Sequence, residues 1–319
     1  MTVLHRSQSF DVRAALKEAM GRLRAANVPS HTLAAELLLM HVLGRDRGWL
    51  YAHPEAPLAD AAAERYFTLV AQRSAGTPTQ YLTGQQEFWG LEFEVAPGVL
   101  IPRPETEHVV EGALERIGPM TWKNELERRP VGKGVKIADV GTGSGCLAIA
   151  LARELSGAEV FATDVSSVAL ALAKRNAERH GVGERVHFVQ CSLLEGLDRT
   201  GERFGTHVEA RHTVPLQLLH LIVSNPPYVG RREAGSLPRE VREHEPAEAL
   251  FGGEDGAQIY APLIAQAARL LSPGGALVVE LGYNSLERVR PRVENESWTR
   301  VSVTNDLAGI PRVLAAERV

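Results

Sequence analysis

Short apolar runs alternate with helical patterns along the second half of the chain, and this alternation limits the fold more than any other feature. The runs lie at residues 135–139, 159–164, 186–190, 219–225 and 275–282. Segments with apolar residues at three- and four-residue steps follow the first two runs. Nearly continuous apolar strands joined by helices are typical of a parallel sheet covered on both faces. We therefore expect a doubly wound α/β domain here.

The end of the chain departs from this alternation. Residues 301–303 and 313–316 are apolar and are separated by a turn-rich segment. Such a pair predicts two antiparallel strands at one edge of the sheet. The complete sheet is therefore expected to be mixed and to have seven strands.

Residues 1 to about 80 show helical patterns and no strand pattern. A second helix is expected to be capped by Ser30 and to end at Gly44, and a third to cover residues 60–75. The apolar stripe of the first helix consists of Val12, Leu16, Met20 and Leu23. The stripe of the second consists of Leu33, Leu37 and Met40. We expect a small all-α domain.

The period changes to two near Glu87, where Leu91, Phe93 and Val95 alternate with acidic residues. Pro97 and Gly98 then predict a turn into residues 99–101, and hence a β-hairpin. The expected organisation is a helical domain at 1–80, a hairpin linker at 81–105 and an α/β domain at 106–319.

Composition narrows the class of protein. The 319 residues include 35 Lys+Arg and 39 Asp+Glu, for a net charge of −4, whereas nucleic-acid-binding domains are usually strongly basic. The two cysteines, Cys146 and Cys191, form neither a disulfide framework nor a zinc pattern. No stretch reaches the ~18 apolar residues of a membrane span, and the first residues lack a signal peptide. We expect a cytoplasmic protein without a metal.

A glycine-rich loop follows the first predicted strand. Its residues are Gly141, Thr142, Gly143, Ser144 and Gly145. Glycines allow a tight turn and close approach to a ligand, but Cys146 stands where the third glycine of a dinucleotide site belongs. Asp164 ends the next strand, where a carboxylate can bind both hydroxyls of a ribose. The pattern predicts a nucleoside-containing cofactor other than NAD.

A second motif closes the strand at 219–225, so it lies at the same edge of the sheet as the glycine loop. Its residues are Asn225, Pro226, Pro227 and Tyr228. The prolines restrict the backbone, and the Asn225 side chain and backbone carbonyls can present acceptors beside an aromatic face. This suits a planar NH₂ group, either a glutamine or asparagine amide or the amine of adenine. Such a nitrogen is a poor nucleophile that must be oriented toward an electrophile.

Other motifs accompany these two sites. They are Gln80-Tyr81-Leu82-Thr83-Gly84, Glu87-Phe88-Trp89-Gly90, Ile101-Pro102-Arg103-Pro104-Glu105-Thr106-Glu107 and Glu245-Pro246 with Ala249-Leu250. With them the chain resembles, nearly from end to end, the HemK/PrmC-type methyltransferases. That family transfers a methyl group from S-adenosylmethionine to a glutamine side-chain amide in class 1 peptide chain release factors.

The resemblance implies a class I methyltransferase-like fold and methylation of N5 of the Gly-Gly-Gln glutamine, which modulates translation termination. It implies that the cofactor is bound by Gly141, Thr142, Gly143, Ser144, Gly145, Asp164, Ser192, Leu193 and Asn225. It implies that the glutamine is held by Asn225, Pro226, Pro227 and Tyr228, of which Asn225, Pro226 and Tyr228 are catalytic. The helical domain would dock the release factor, and we expect a monomer that binds no nucleic acid and no membrane.

Other interpretations remain at this stage. An adenine-N6 methyltransferase acting on DNA or RNA would use the same motif, but it needs a basic recognition region, and residues 1–80 carry only 9 Lys+Arg against 7 Asp+Glu. A cofactor-binding regulator without turnover is a second alternative. Structural roles are expected for Arg103, Glu105, Glu107, His244 and both cysteines, with the alternative that one of the first three lines the glutamine pocket. Residues 118–133 and 205–217 are expected to be solvated loops.

Ser192 stands where relatives usually place an acidic residue that reaches the adenine amine. A charge-assisted hydrogen bond is stronger than one to a hydroxyl, so Ser192→Asp is expected to tighten S-adenosylmethionine binding. Calorimetric titration of the two proteins checks this, and an unchanged or weaker affinity would refute it.

Overall fold

The structure, a computed structural model, describes residues 10–121, 132–197 and 219–319. The chain divides into two units. The first runs to Gln85 and also contains Pro238–His244, and the second contains Gln86–Leu237 and Glu245–Val319. Of the two expected loops, residues 122–131 and 205–217 lie outside the described ranges.

The first unit is helical, as expected. Its elements are α1 (Val12–Ala25), α2 (His31–Leu43), α3 (Arg47–Ala52), α4 (Asp60–Ser74), α5 (Thr79–Thr83) and the short helix Arg239–His244. Asp11 caps α1 by accepting a hydrogen bond from the Ala14 N–H at 2.7 Å. The predicted end of α2 at Gly44 is confirmed, because this glycine adopts φ +60°. Arg73, which is buried, pairs with Glu240 of the later segment.

The predicted face of α2 was wrong. Leu33 is 43% exposed, and Ser30 makes no side-chain cap hydrogen bond. The helix instead buries Ala34, Ala35, Glu36, Leu38 and Leu39. Small alanines allow helices to pack closely, and a pattern built on large apolar residues overlooks them. The Glu36 carboxylate is buried because it accepts hydrogen bonds from Arg47 and Tyr51.

The expected hairpin is present, but its turn is not at Pro97 and Gly98. It is formed by β1 (Gln85–Phe88) and β2 (Leu91–Glu94), and residues 99–101 are not in a strand. Trp89 and Gly90 make the turn with φ of +54° and +67°. Two consecutive left-handed residues match the twist of paired strands, which a Pro-Gly pair does not supply.

The predicted mixed sheet of seven strands is confirmed. Its strands are β3 (Lys136–Val140), β4 (Glu159–Asp164), β5 (Val186–Gln190), β6 (Leu219–Ser224), β7 (Leu271–Glu280), β8 (Trp298–Asn305) and β9 (Pro311–Arg318). They lie in the order β5-β4-β3-β6-β7-β9-β8. The first five strands pair in parallel, and β9 is antiparallel to both β7 and β8.

Helices cover both faces of this sheet. They include α6 (Glu107–Thr121), α7 (Cys146–Glu154), α8 (Ser167–Arg179) and α11 (Tyr260–Leu270). Three shorter helices are α9 (Arg239–His244), which belongs to the first unit, α10 (Ala247–Leu250) and α12 (Leu286–Val289). Helix α6 continues to residue 121, so the loop expected from 118 begins later. One apolar cluster contains Val109, Leu151 and Val223, and another contains Ile222, Leu263 and Leu277. No helix among the described residues is long and apolar enough to cross a bilayer.

The buried side chain of Asn176 ties the hairpin to the glycine loop. Its amide oxygen accepts from the Glu94 N–H at 2.8 Å, and its amide nitrogen donates to the carbonyls of Glu94 at 3.0 Å and Ser144 at 2.9 Å. Asn176 thus acts as a strand partner for Glu94 and holds Ser144 in place. Helix α8 therefore positions the loop at the edge of the sheet.

Candidate active site

The glycine loop connects β3 to α7 and lies at the carboxyl edge of the sheet. Gly141, Gly143 and Gly145 have φ of +73°, +55° and +85°, a region in which other residues are strained. A Cβ on Gly145 would lie 3.1 Å from the Ala173 Cβ, so this glycine lets α8 pack against the loop. A Cβ on Gly141 would meet no atom within 4 Å. The loop therefore keeps open space beside Gly141, as a ligand cradle requires.

Asp139 lies beneath the loop and hydrogen-bonds both to the loop and to the helix that follows it. Its buried carboxylate accepts hydrogen bonds from the Thr142 hydroxyl at 2.6 Å and from the Ala148 N–H at 3.1 Å. Burial raises the pKa of Asp139 to about 7. Its other oxygen, Oδ1, has no hydrogen-bond partner among the described residues. An orphaned buried acceptor beside an open loop suits a ligand that carries N–H donors or positive charge.

Asp164 ends β4, next to the loop, as the sequence predicts. One carboxylate oxygen accepts from the Gly143 N–H and the other from the Ser166 N–H, each at 2.9 Å. The carbonyl of Thr163 accepts from both Gly141 and Thr142 at 2.9 Å. Each carboxylate oxygen of Asp164 can accept a second hydrogen bond, so the side chain can still bind ribose hydroxyls.

Ser192 and Leu193 follow β5 at the same edge. Ser192 is exposed, and Leu193 is half-buried with φ +51°. The Leu193 carbonyl accepts from the Thr163 hydroxyl at 2.7 Å, which fixes this turn to β4. Burial raises the pKa of the Cys191 thiol and raises that of Cys146 to about 12. Both cysteines therefore stay protonated, as packing residues do.

The Asn-Pro-Pro-Tyr segment follows β6, which lies beside β3 in the sheet. The Ser224 hydroxyl donates to the Val140 carbonyl at 2.7 Å, which joins the ends of these two strands. The Asn225 amide nitrogen donates to the Thr106 hydroxyl oxygen at 2.9 Å. Within the described residues its amide oxygen accepts no hydrogen bond, so it is the end of the side chain that a donor can use.

Tyr228 is held from two sides. Its hydroxyl donates to Glu280 at 3.1 Å, and its ring lies where a Cβ on Gly282 would come within 2.8 Å. Burial and the facing carboxyl of Glu280 raise the pKa of Tyr228. The Tyr228 hydroxyl therefore stays protonated and uncharged.

Two further glycines hold the backbone of this motif. The segment after α10 forms a bridge in which the Val229 N–H donates to Leu250 at 2.9 Å and the Gly252 N–H donates to Val229 at 3.1 Å. A Cβ on Gly252 would collide with the Pro227 carbonyl, and one on Gly256 with the Tyr228 carbonyl. Sequence reasoning missed this support, although the Gly-rich run at 252–256 was a visible signal.

Sequence reasoning also missed Glu280. It is the last residue of β7, is 1% exposed, and lies beside the Asn-Pro-Pro-Tyr segment. Burial raises the pKa of this carboxyl to about 7. Its signal in the sequence is a single acidic residue within the apolar run 276–281. Burial of a carboxylate is unfavourable unless the group has a hydrogen-bond or charge partner.

The charged residues of segment 101–107 have different environments. Arg103 pairs at 2.5 Å with Glu245, whose side chain is 1% exposed. Glu107 accepts from the Trp89 N–H at 2.8 Å, which fixes the hairpin turn. No group of three potential metal ligands occurs in the described ranges, which include His244.

Gly145→Ala is expected to weaken S-adenosylmethionine binding by about tenfold or more, since the new Cβ is strained at φ +85° and lies 3.0 Å from the Ile149 Cδ1. Calorimetric titration measures the affinity. Gly181→Ala is the matched control, because it has φ +69° and open surroundings, and it is expected to bind the cofactor within twofold of wild type. An unchanged affinity in Gly145→Ala would show that the loop tolerates the side chain.

Comparison with known proteins identifies the relatives of this chain. The PrmC N-terminal domain matches residues 14–84, and a methyltransferase domain matches residues 132–303. Release factor glutamine methyltransferases of Koribacter versatilis and Moorella thermoacetica are each 40% identical, with 96% of this chain and 98% of each relative covered. The hMettl16 catalytic domain, solved in complex with a MAT2A 3'UTR hairpin, has a TM-score of 0.51 at 17% identity and covers 78% of this chain and 81% of that chain.

The solved structure, at so low an identity, shows the fold alone. The methyltransferase domain and the full-length relatives show an S-adenosylmethionine-dependent enzyme. On this evidence the chain belongs to the release factor glutamine methyltransferase family.

Proposed function

We propose that this enzyme methylates the side-chain amide nitrogen (N5) of the Gly-Gly-Gln glutamine of class 1 peptide chain release factors, and so modulates translation termination in the cytoplasm. The observation that carries the proposal is the Asn225 side-chain amide. Its nitrogen donates a hydrogen bond to Thr106, whereas its oxygen accepts no hydrogen bond from the described residues. Beside the buried Pro226 and the Tyr228 ring, this acceptor suits the NH₂ group of a glutamine.

The residues present fit S-adenosylmethionine. The open space at Gly141, the left-handed glycines and the unpaired Oδ1 of Asp139 provide a cradle and an acceptor for a charged ligand. The proposed binding residues are Gly141, Thr142, Gly143, Ser144, Gly145, Asp164, Ser192, Leu193 and Asn225. When bound, the sulfonium of this cofactor supplies an electrophilic methyl group.

The catalytic work of the chain is to bind and orient the substrate amide. The Asn225 side-chain oxygen and the backbone carbonyl of Pro226 accept hydrogen bonds from the two N–H groups of the substrate amide. Pro227 and Tyr228 restrict the orientation of the plane of that amide. Holding these bonds directs the nitrogen lone pair toward the electrophile and stabilises the nitrogen as it pyramidalises. No strong base is needed, because the nitrogen is positively charged and still carries both protons once the methyl group has been added, and in that state it is acidic enough to release one proton to water.

The test is methyl transfer from labelled S-adenosylmethionine to a purified class 1 release factor, with peptide mass mapping. The wild-type enzyme is expected to label only the Gly-Gly-Gln glutamine, and a release factor with that Gln→Ala is expected to stay unlabelled. Asn225→Ala keeps the other proposed cofactor-binding residues, so it is expected still to bind the cofactor but to lose about 99% of the rate, as loss of a transition-state hydrogen bond does. Label in a duplex DNA control alone would favour an adenine methyltransferase, and wild-type rates in Asn225→Ala would remove its catalytic role.

We further propose that residues 1–80 dock the release factor, that the hairpin at 81–105 is a linker and that 106–319 carry out catalysis. An open groove of about 690 Å³ in the helical unit supports the docking role. Its lining includes the half-buried Leu16 and Met20 and the exposed Arg13, Lys17 and Arg24. Exposed basic groups beside apolar side chains suit an acidic protein surface with apolar anchors. We expect the enzyme to act as a monomer and to contact no nucleic acid directly.

Reversing two charges of the groove lining with Lys17→Glu and Arg24→Glu is expected to raise KM for the release factor by about tenfold and to leave cofactor affinity unchanged. Point substitutions are preferable to deleting residues 1–80, because Pro238–His244 belongs to the same unit. The control, Arg45→Glu with Arg65→Glu, changes the net charge equally on exposed residues outside the groove. Equal KM values for the two double variants would argue against docking in this groove.

A further inference from the structure

The turn that follows β5 contains a residue in a strained conformation. Leu193 has φ +51°, in the left-handed region where the Cβ of any residue other than glycine comes close to the following carbonyl oxygen. Asparagine and aspartate reduce this cost with a polar side chain, but the side chain of leucine is apolar. Such a conformation persists only where its surroundings hold it. The neighbours of Leu193 therefore determine the shape of this turn.

One peptide group of the turn is held at both of its polar ends. The carbonyl oxygen of Leu193 accepts a hydrogen bond from the Thr163 hydroxyl at 2.7 Å, and the N–H of Leu194 donates to the side-chain oxygen of Gln266 at 2.9 Å. The Cys191 thiol also donates to the Leu193 carbonyl, but at 3.5 Å and as a weak donor. Because Thr163 and Gln266 hold opposite ends of the same peptide group, together they fix the orientation of its plane.

Both of these side chains are buried, and they belong to separate elements. Thr163 lies in β4 and is 0% exposed, and Gln266 lies in α11 and is 9% exposed. A buried glutamine needs hydrogen-bond partners, whereas the buried face of α11 is otherwise made mostly of apolar residues. Before the turn, the Cys191 N–H donates to the Asp164 carbonyl at 3.1 Å. The chain is therefore anchored on both sides of the turn.

The turn lies beside the proposed ribose site. Asp164 pairs with Gln190 in the sheet, so Ser192 and Leu193 follow the neighbouring strand at the same edge. Ser192 is exposed, and among the described residues no hydrogen bond leads from the backbone N–H of Ser192 or of Leu193 to another group. Both N–H groups are thus available to a ligand. A change of Leu193 to a right-handed or extended conformation would turn them in other directions.

We propose that Thr163 and Gln266 are positioning residues that hold the Ser192–Leu193 turn in the conformation that binds S-adenosylmethionine. Neither side chain needs to contact the cofactor. A turn without these two hydrogen bonds would populate the left-handed conformation only in part, and the cofactor affinity would fall in proportion to that population. The inference rests on the proposed function, in which Ser192 and Leu193 bind the cofactor, and adds to it the residues that prepare the turn.

Gln266→Met tests the bond to the Leu194 N–H, because methionine has a similar length and no strong acceptor. Its affinity for S-adenosylmethionine, measured by calorimetric titration, is expected to fall by about tenfold, the cost of a left-handed leucine that nothing holds. Gln266→Glu is the matched control, since it keeps an acceptor whether its carboxyl is ionised or protonated. It is expected to bind the cofactor within about threefold of wild type.

Thr163→Val tests the other end of the same peptide group, because valine keeps the shape and lacks the hydroxyl. Its affinity for S-adenosylmethionine is expected to fall by about fivefold or more, and Thr163→Ser is expected to recover it to within about threefold. For Gln266→Met and Thr163→Val, KM for the cofactor is expected to rise, whereas kcat and KM for the release factor stay within about twofold at saturating cofactor. A general structural defect would not be confined to the cofactor.

Leu193→Gly separates this role from other effects of Gln266. Glycine adopts φ +51° without strain, so the turn then depends less on the residues that hold it. In a Leu193→Gly enzyme, Gln266→Met is expected to weaken S-adenosylmethionine binding by no more than about threefold. Equal losses in both backgrounds, or failure of Gln266→Glu and Thr163→Ser to recover the affinity, would overturn the inference.

The cofactor titration needs no release factor, so failure of this inference and failure of the proposed function give different results. Absence of S-adenosylmethionine binding or of glutamine labelling in the wild-type enzyme would count against the proposed function. Normal binding and labelling by the wild type, with unchanged affinity in both Gln266→Met and Thr163→Val, would count against this inference alone. The two variants change different elements, so poor folding of one leaves the other as a test.

Discussion

The site depends on the register of four parallel strands. Val140, Thr163, Ser224 and Val279 are neighbours across the sheet, as the pairing of β3 with β4 and β6 and of β6 with β7 shows. The residues that follow these four along the chain are, in the same order, Gly141, Asp164, Asn225 and Glu280. These four come from segments far apart in the chain, yet main-chain hydrogen bonds place them along one edge. A slip of one residue in any pair would turn the wrong side chains toward the site.

Glycines convert this edge into a rigid site. Gly145 allows α8 to approach the cofactor loop, and Gly252, Gly256 and Gly282 allow neighbouring backbone to press against Pro227 and Tyr228. Close backbone contact leaves the motif few alternative conformations, so little entropy is lost when a substrate amide is held there. The same contacts keep the aromatic ring and the carbonyl acceptors in fixed relative positions before substrate binds.

The sequence predicted the sheet well because each strand is defined by its own residues. The bounds expected for β4, residues 159–164, match the structure, and both site motifs lie at the strand ends where they were placed. Properties that depend on neighbours were harder to predict. The buried face of α2 combines two alanines with Glu36, Leu38 and Leu39. The contact of Glu280 with Tyr228 depends on the adjacency of β6 and β7, which no local pattern specifies. Thr106 could be noticed within its motif, but its contact with Asn225 spans 119 residues.

Two buried carboxyls, Asp139 and Glu280, lie on either side of β6 at the site, and each accepts a hydrogen bond from a hydroxyl, that of Thr142 or that of Tyr228. Burial raises the pKa of both to about 7, well above the usual carboxyl value. A group that binds its proton more tightly in the folded state makes folding less favourable as pH rises from that usual value through about 7. An apolar residue of similar size would avoid this loss of stability. It would also leave the hydroxyl of Thr142 or of Tyr228 without an acceptor, and the cofactor loop or the Tyr228 ring would lose a contact that holds it in place. The energetic penalty of the buried acids is therefore tied to the orientation of the groups that face the ligand.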